Sequence, residues 1–549
     1  MPAELSRRTL LTGLALGSVG LLSGCGEGGL GGTVPRIPVV HGDAAAPLAF
    51  APGPPTGSRV RYGGSVVTGW TSAPVDGYDP AVAWDPAGWE AVTSLLFTPL
   101  LQFAGQSGGA APSAAAALPE ISDDGLTYTL RLRPDVLFHN GRPVTAEDYI
   151  WSWTRVLDPA LESWAASYLY PIEGATEVNN GKARSVSGLR ALDRHTLQVR
   201  LTAPSITFTD VLCQPYMAAL AKESTDPAKA PIGTGPFKVA SYDENGQKSV
   251  FARNEHYFWT GTPLLDQVTY RWGIAADMQY LQLGKDYLDV LGEGLPVSLG
   301  PVVNSQPGAR QNLVVDIPVQ GTAWLAFNYN KRELRDPAVR RALNQAVDRA
   351  ELTRLAYGSM LPWGLPFPEN LPDYHRTAQP FTQDTEAARK VLSGLRLELL
   401  TSGDDPWNLL CQVLQQQLLE VGVTVTISTM SDAAFSSATQ DKQGDIYPSE
   451  WYIVIDSALD LASNCFAGDG SSNYTGYANP ALDALLADAA TRPTTADCNT
   501  VLARAEEALV ADPPGLFIAS LEFMALRNPR VQDYSMRGET GSYYDRMWV

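Results

Sequence analysis

The sequence contains few of the residues that bind metals or carry redox chemistry. Only five cysteines and five histidines occur among its 549 residues. Four of the cysteines, Cys213, Cys411, Cys465 and Cys498, lie in the body of the chain, and no two of them show the CxxC spacing of zinc and redox sites. The composition therefore predicts neither a metal site nor a bound cofactor.

Positive charge is also scarce. The chain has 40 Lys and Arg against 59 Asp and Glu, so its formal net charge is −19. A nucleic-acid-binding protein needs a basic surface, and so does a protein that covers anionic lipid head groups. We therefore expect no nucleic-acid partner and no broad contact with an anionic membrane surface.

Long apolar runs are missing as well. The apolar stretch near the start, Leu10 to Leu22, has thirteen residues; as a helix it spans about 20 Å, against the ~30 Å core of a bilayer. Arg7 and Arg8 precede it, an arrangement typical of a signal peptide, here Met1 to Gly24. No later stretch is long and apolar enough to cross a membrane, so we expect an exported, water-soluble body.

The cysteine that ends this segment is a candidate attachment point. "LSGC", Leu22 to Cys25, resembles a bacterial lipobox, in which the cysteine is diacylated and becomes the new N-terminus. This resemblance implies a lipid anchor at Cys25 on the outer face of the cell membrane. A plain signal peptide with an incidental cysteine is the alternative. "SRRTLL" also resembles a twin-arginine signal, and both export routes stay open.

The composition and the sequence patterns predict a folded body that follows a flexible tether. Hydrophobic residues make up 45% and aromatic residues 9% of the chain, as in globular proteins. Residues 25–58 are rich in Gly, Pro and Ala and are expected to form a flexible tether. From residue 59 to 549 strand-like and helix-like patterns alternate, which favours a mixed α/β fold.

Local patterns predict particular elements of this body. Tyr128, Leu130 and Leu132 alternate with polar residues, which is typical of a half-buried strand. Thr145, with Asp148 three residues later, predicts the start of a helix.

A second set of patterns predicts helices later in the chain. Asp336 and Pro337 have the residue types of an N-cap and a first helical position, and Asp348 is a second N-cap. Gly358 is expected to end the helical region. Cys411 lies in an apolar helical pattern and is expected to be a small core residue.

The chain resembles the peptide-type solute-binding proteins of bacterial ABC importers, the class that contains oligopeptide- and dipeptide-binding proteins. "SDDGLTYTLRLRPDVLFHNGRPVTAEDYIWSWTRVLDP" is the strongest of five similar blocks that occur in the family's order. The blocks cover Ser122–Pro159, Ala230–Val239, Arg253–Trp272, Leu334–Leu352 and Asn473–Ala489. A further segment, Ser167–Leu201, resembles the oligopeptide-binding branch.

The resemblance implies a two-lobed α/β clamshell of the type II periplasmic-binding-protein class, with an extra small domain. Lobe I would take residues 59–95, 190–318 and 508–549, the extra subdomain 96–189, and lobe II 319–507. It further implies a monomer that captures oligopeptides or dipeptides between its lobes and delivers them to the membrane permease. The protein is not expected to be an enzyme.

The family's cleft motif is only partly present. Family members have a strand-end Trp, followed three residues later by an Asp that pairs with the ligand's α-amine. Trp451 matches the tryptophan, but Val454 occupies the position of the aspartate. Asp456 would lie about 7 Å further along the same face of a strand. It therefore binds the ligand, pairs with a protein cation or is exposed.

Further ligand-binding candidates come from the same comparison. Trp84, Trp89 and Glu90 lie where the family's lobe I cleft edge begins, and Asn473 follows from lobe II. Tyr452 should point to the opposite face from Trp451. For the aromatic residues, packing in the core or at the rim is the alternative.

Several readings of polar residues remain open. Cys465 and Cys498 are candidates for a disulfide in an oxidising compartment. Glu450 is expected to be solvated. His139, in the "FHNG" turn, is expected to be structural, because no GxSxG, HExxH or P-loop motif supports an enzyme. The rival functions are a receptor for sugars, metal chelates or other non-peptides, a sensor and, more remotely, a secreted hydrolase.

Overall fold

The computed structural model describes residues 60–103, 109–305, 314–371, 374–402, 407–453, 457–492, 494–536 and 541–549. The predicted signal peptide, the lipobox cysteine Cys25 and the tether lie outside these ranges. So do Val454 and Asp456, the two residues on which the family's amine-binding motif depends.

The described chain forms seventeen strands and a series of mostly short helices. The strands are β1 Ser65–Gly69, β2 Leu101–Phe103, β3 Ala110–Pro112, β4 Glu120–Ile121, β5 Thr127–Arg131, β6 Leu189–Asp193, β7 Thr196–Arg200, β8 Phe237–Asp243, β9 Lys248–Arg253, β10 Gln267–Arg271, β11 Val290–Leu291, β12 Val314–Phe327, β13 Met360–Pro362, β14 Arg396–Thr401, β15 Thr424–Thr429, β16 Ile446–Tyr452 and β17 Gly515–Arg527. The α-helices are α1 Pro86–Ala91, α2 Ala146–Val156, α3 Ala175–Asn179, α4 Phe208–Val211, α5 Ala276–Leu283, α6 Gly300–Ser305, α7 Pro337–Gln345, α8 Arg349–Arg354, α9 Thr385–Leu392, α10 Trp407–Glu420, α11 Asp432–Gln440, α12 Ala458–Leu461, α13 Pro480–Ala490 and α14 Thr495–Ala511.

One eleven-stranded sheet runs through two lobes. Its order is β15, β14, β16, β12, β17, β11, β1, β10, β9 and β8, with β13 also paired to β17. In lobe II, apolar side chains pack on both faces of the sheet and form two cores. In lobe I, a core that includes Trp70, Phe251, Tyr270 and Tyr544 covers the β1 end of the sheet. The fold is thus the expected two-lobed α/β architecture.

Two long strands carry the chain between the lobes. β17 pairs antiparallel with β12 along most of its length and, at its end, with β11 through Leu526 and Arg527. The pairing of β12 with β17 shifts register between Pro318 and Thr322. Such a bulge bends a strand locally, and it lies at the position where the sequence places the start of lobe II.

A small subdomain is attached to lobe I. It has its own four-stranded sheet, in the order β4, β5, β7 and β6, and a core that runs from Ala81 to Ala221. The predicted boundary at residue 189 divides this unit, because β7 pairs with β5 from Thr127 opposite Arg200 to Arg131 opposite Thr196. The subdomain therefore extends beyond the predicted boundary.

The turn that contains His139 fastens the subdomain to lobe I. The Nδ1 atom of His139 accepts a hydrogen bond from the Gly233 N–H at 3.2 Å. The other ring nitrogen, Nε2, therefore carries the proton, and it lies 3.2 Å from the Gly235 carbonyl oxygen. Burial lowers the pKa of His139 to about 4, so the ring is neutral at pH 7. The histidine is structural, as expected.

The predicted helix starts are found at the expected residues. Thr145 and Asp148 begin α2 through a capping box, Asp336 accepts from the Ala338 N–H at 2.8 Å, and Asp348 accepts from the Glu351 N–H at 3.1 Å. These caps satisfy backbone donors that lack partners within the helix. In the described ranges, no helix combines the length and the apolar character needed to span a membrane.

Candidate functional site

Trp451 lies near the end of β16 in lobe II. β16 pairs antiparallel with β12, and Trp451 is opposite Thr322. The indole is half-buried against the lobe II core, whereas the next residue, Tyr452, is 41% exposed. The alternation predicted for these two aromatic residues is therefore present.

A cavity of about 190 Å³ opens beside Trp451. Typical small-molecule pockets have volumes of roughly 300–1,000 Å³, so this cavity suits one side chain or end group of a larger ligand. It is lined by Trp324, Ala326, Tyr447, Ser449, Glu450, Trp451, Cys465, Phe466, Ser472, Tyr474, Thr475 and Pro514.

Glu450 lines this cavity. The expectation that its side chain is solvated is wrong. It accepts a hydrogen bond from the Trp407 indole N–H at 2.6 Å. Burial raises the pKa of Glu450, and hydrogen bonds from Trp407 and Tyr452 act in the opposite direction. The side chain is held in place because its neighbours supply donors that replace water.

Asp460, in α12, is the acidic group next to Trp451. It is 6% exposed and accepts from the Trp451 indole N–H at 3.1 Å and from the Asn464 amide at 3.0 Å. Burial raises the pKa of Asp460 to about 6, although both hydrogen bonds favour the charged form. At neutral pH the site therefore holds a negative charge with two neutral donors.

Four aromatic side chains of the small subdomain and lobe I pack against one another. We use "aromatic group" for Trp89, Trp164, Tyr168 and Tyr216. Trp164 lies 5.6 Å from Trp89 and 5.5 Å from Tyr216 between ring centroids, and Tyr168 stacks on Tyr216 at 5.4 Å. Burial raises the pKa of Tyr168 and Tyr216, and the charge of Asp460 adds to both effects. Of this group, Tyr168 and Tyr216 are thus within the electrostatic range of Asp460.

The lobes also touch directly. The Ile206 N–H donates to the Ala490 carbonyl of α13 at 3.3 Å. Burial raises the pKa of Cys498 in α14 to about 11, and Asp210 of α4 contributes to the shift. The segment that contains Ile206 is therefore in direct contact with lobe II.

The other predicted ligand residues lie elsewhere or are used by the fold. Trp89 belongs to the aromatic group, but Trp84 is 55% exposed. Glu90 is buried in lobe I, where it accepts from the Ser542 N–H at 2.9 Å. The Asn473 amide donates to the carbonyls of Ala467 and Tyr477, both at 2.8 Å. The structure therefore gives Glu90 and Asn473 structural contacts and does not bring Glu90 to Trp451.

The disulfide considered between Cys465 and Cys498 does not form: both are free, buried thiols. Burial raises the pKa of each thiol, which disfavours the thiolate that disulfide formation requires. Cys465 instead lines the cavity beside Trp451. Within the ranges that the structure covers, no group of three or more His, Cys, Asp and Glu side chains is arranged to hold a metal ion.

Sequence reasoning missed Asp460 and most of the aromatic group. Asp460 follows Trp451 by nine residues, and their contact joins the end of β16 to α12. Trp164 and Tyr168 come from a 3₁₀ helix of the subdomain, Trp164–Leu169, and Tyr216 from a second 3₁₀ helix, Pro215–Met217. Only the Ser457 N-cap, which accepts from the Leu459 N–H, signals locally that a helix begins before Asp460.

The described chain thus has two lobes that share one sheet and a cavity beside Trp451 in lobe II. The family model described as bacterial extracellular solute-binding proteins, family 5 Middle, matches residues 109–473. The chain therefore belongs to the bacterial extracellular solute-binding proteins of family 5.

Several relatives are named for the ligands that they bind. The chain is 26% identical over 499 residues to the probable di/tripeptide-binding protein 5 of Pseudomonas aeruginosa strain UCBPP-PA14, covering 85% of this chain and 92% of the relative. It superposes on the Escherichia coli murein tripeptide binding protein MppA with a TM-score of 0.70 at 24% identity, covering 90% and 99% of the two chains. It also superposes on AgaA of A. tumefacien R10, solved in complex with agropinic acid, with a TM-score of 0.70 at 20% identity, covering 88% and 99%.

Proposed function

We propose that this protein is the substrate receptor of an ABC importer and that it captures oligopeptides or dipeptides between its two lobes. The observation that carries the proposal is the cavity in lobe II beside Trp451, the residue that matches the tryptophan of the family's cleft motif. The peptide-binding names of family relatives support the choice of ligand.

The volume of the cavity suits a receptor in which one residue of the peptide occupies the cavity. At about 190 Å³ it accepts one residue of a peptide, while the remainder lies along the cleft. A ligand that prefers the closed arrangement of the lobes shifts the protein toward it. We propose that the membrane permease recognises this closed form and that the protein acts as a monomer.

The proposed place of work is the outer face of the cell membrane. Diacylation of Cys25 would retain the receptor there, because two acyl chains anchor stably where one is marginal. Residues 26–58 would then link the anchor to the folded body.

The test is the thermal stability of the purified mature protein in the presence of peptide pools. A ligand at one hundred times its Kd raises the stability by about 2.7 kcal/mol, which is a clear rise in Tm. We expect this rise with di- to oligopeptides. If no peptide changes the Tm, the peptide proposal is wrong.

A second candidate, a receptor for a non-peptide solute, has specific support. The neighbour AgaA holds agropinic acid in the same fold, and Val454 replaces the family's amine-binding aspartate in this sequence. Oligosaccharides and opine-type acids therefore belong in the same screen. A Tm rise with one of these and with no peptide would support this candidate.

A further inference from the structure

The segment that follows the sheet of the small subdomain connects two hydrophobic cores. Ile206 is half-buried and packs against the lobe II core that includes Leu486 and Ala489 of α13. Phe208, two residues later, is fully buried in the core of the small subdomain. Two nearby positions of one short segment therefore pack into opposite sides of the molecule.

A hydrogen bond across the same contact completes the end of a helix. Ala490 is the last residue of α13, and the carbonyls at that end of a helix have no partner within it. The Ile206 N–H donates to the Ala490 carbonyl at 3.3 Å. A backbone donor of the small subdomain thus satisfies a helix end of lobe II.

The small subdomain fixes the position of Ile206 through the residues on both sides of it. The Tyr128 hydroxyl, from β5, donates to the Ser205 carbonyl at 3.1 Å. The ring of Tyr128 also packs edge-to-face against Phe208, with the ring centroids 5.1 Å apart. Ile206 therefore moves with the subdomain sheet and not with lobe II, although its own contacts are with lobe II.

We propose that residues 205–208, which we name the clasp, form a releasable contact by which the small subdomain holds lobe II in the closed arrangement. The inference rests on the proposed function, because it assumes that the lobes open and close around a solute. The clasp is made by a hydrogen bond and an aliphatic side chain, so a rotation that separates α13 from the subdomain breaks it without unfolding either part. The small subdomain thereby shifts the equilibrium between open and closed lobes.

The decisive variant is Ile206→Asp. It replaces the apolar side chain by a carboxylate next to the C-terminus of α13, where the helix dipole disfavours negative charge. Ala203→Asp is the matched control, because it adds the same charge at an exposed position of the same segment. Ile206→Leu keeps an aliphatic side chain of similar volume and should behave as the wild type does.

Double electron–electron resonance between two spin labels measures the separation of the lobes. The labels are attached at Ser185→Cys in the subdomain and Gln416→Cys in α10, both exposed positions, in a Cys25→Ser background. The native cysteines of the described body are buried, so they stay unlabelled. Without ligand, we expect Ile206→Asp to shift the distance distribution to longer values, and we expect the control and Ile206→Leu to match the wild type.

Calorimetric titration with Ala-Ala-Ala gives a second readout. A ligand that binds the closed lobes loses apparent affinity in proportion to the closed fraction. We expect the Kd to rise about tenfold in Ile206→Asp and to stay within about twofold of the wild type in Ala203→Asp and Ile206→Leu.

The distances test the clasp, and the titration tests the peptide function separately. Longer distances in Ile206→Asp, without binding of Ala-Ala-Ala by any of the proteins, support the clasp and contradict the peptide function. Unchanged distances in Ile206→Asp overturn the clasp, and binding of the peptide by the same proteins leaves the peptide function standing. An equal shift in Ala203→Asp also overturns the clasp, because the added charge alone then explains the opening.

A milder variant covers the case in which Ile206→Asp does not fold. Ile206→Ala shortens the side chain and keeps the N–H, so the distances should shift in the same direction and the Kd should rise about threefold. An Ile206→Ala protein with the distance distribution of the wild type would contradict the proposal.

Discussion

Two carboxylates deep in lobe II differ in what surrounds them. Asp460 has only neutral donors, whereas Glu506, fully buried in α14, lies 3.3 Å from the Arg376 guanidinium and accepts from the Tyr374 hydroxyl. Burial raises the pKa of Asp460 to about 6 and that of Glu506 to about 7. Both groups therefore bind a proton more tightly in the folded protein than in the unfolded chain.

For Asp460 this predicts a pH-dependent stability difference. Because the folded pKa is about 6 and the ordinary value is 3.8, the free energy of unfolding falls as the pH rises through this window. Asparagine does not titrate, so Asp460→Asn should gain up to about 3 kcal/mol relative to the wild type between pH 4 and pH 7. Urea denaturation at several pH values, with Asp469→Asn as the control, measures the difference. A pH-independent difference would contradict the assignment.

For Glu506 the prediction concerns the contribution of its partner, the Arg376 guanidinium, to the stability of the protein. Arg376→Met leaves a buried carboxylate without a positive partner, and we expect a loss of about 3–5 kcal/mol at pH 8. The loss should be smaller at pH 6, where Glu506 takes up a proton, and Glu506→Gln should restore most of it in the double variant. Thermal or urea unfolding of the four proteins in the cycle gives the coupling.

A surface ion pair provides the control for that cycle. Arg131 and Glu120 are paired at 2.9 Å, but both side chains are 67% exposed. Arg131→Met should therefore change the stability by less than about 1 kcal/mol. A comparable loss for Arg131→Met and Arg376→Met would show that burial is not the cause.

The sequence could identify single residues of the site but not their contacts. Trp451 was found through the family's motif, and it does line the cavity. The family resemblance places Glu90 and Asn473 at the cleft, yet each side chain forms hydrogen bonds with backbone groups of the fold. Asp460 was missed because its contact with Trp451 depends on tertiary structure, which no local spacing encodes.

The start of α2 depends on one aspartate. The backbone N–H and the hydroxyl of Thr145 both donate to Asp148, at 2.9 and 2.8 Å, and Arg142 donates to both oxygens of the same carboxylate. The helix start is thereby tied to the turn that precedes it.

Substitutions at this helix start should have graded effects. Thr145→Ala should cost about 1 kcal/mol, and Asp148→Ala more, about 2–3 kcal/mol, because Arg142 and Thr145 also lose their acceptor. Thr145→Ser keeps the hydroxyl and serves as the control, with little change expected. The midpoint of urea denaturation measures all three. A larger loss for Thr145→Ala than for Asp148→Ala would contradict this account.

The turn around Gly235 requires a residue without a side chain. A Cβ at Gly235 would lie 2.4 Å from the Leu95 carbonyl oxygen and 2.6 Å from the Phe97 nitrogen, both backbone atoms that cannot rotate away. At Gly284 the nearest atom, the Leu281 carbonyl oxygen, is 3.7 Å away, which is ordinary contact.

The two glycines should therefore respond differently to alanine. We expect Gly235→Ala to destabilise the protein by about 3 kcal/mol. Gly284→Ala, at the end of α5, should stay within about 0.5 kcal/mol of the wild type. Differential scanning calorimetry of both variants tests the pair. Equal Tm values for the two would contradict the close approach at Gly235.

Elements defined by local chemistry were predictable, and those defined by distant pairing were not. The capped starts of α2, α7 and α8 depend on residues two or three positions apart, so the sequence shows them. The extent of the small subdomain depends on the pairing of β5 with β7, whose paired residues Thr127 and Arg200 are far apart in the chain. Spacing carries no signal of such a pair, and the boundary at 189 was therefore misplaced.

At the scale of the whole molecule, the proposed anchor and the proposed binding site are separable. The cleft is built from residues of the folded body, whereas Cys25 precedes it by a tether. Cys25→Ser should release the protein from the membrane fraction of its host and leave the affinity for ligand unchanged. Fractionation and calorimetry of the same variant test both halves. Retention of Cys25→Ser in the membrane fraction would contradict lipid anchoring at this residue.

The position of β17 in the sheet has a consequence for how the protein matures. This strand separates lobe II from lobe I in the sheet, pairing with β12 on one edge and with β11 and β13 on the other. It is nonetheless the last of the described strands in chain order, Gly515–Arg527. During translation the growing chain can form the small subdomain early, but neither lobe can complete its part of the main sheet until β17 has left the ribosome. A chain truncated before β17 would thus contain two unfinished half-sheets with exposed edges, and we expect proteases to degrade it.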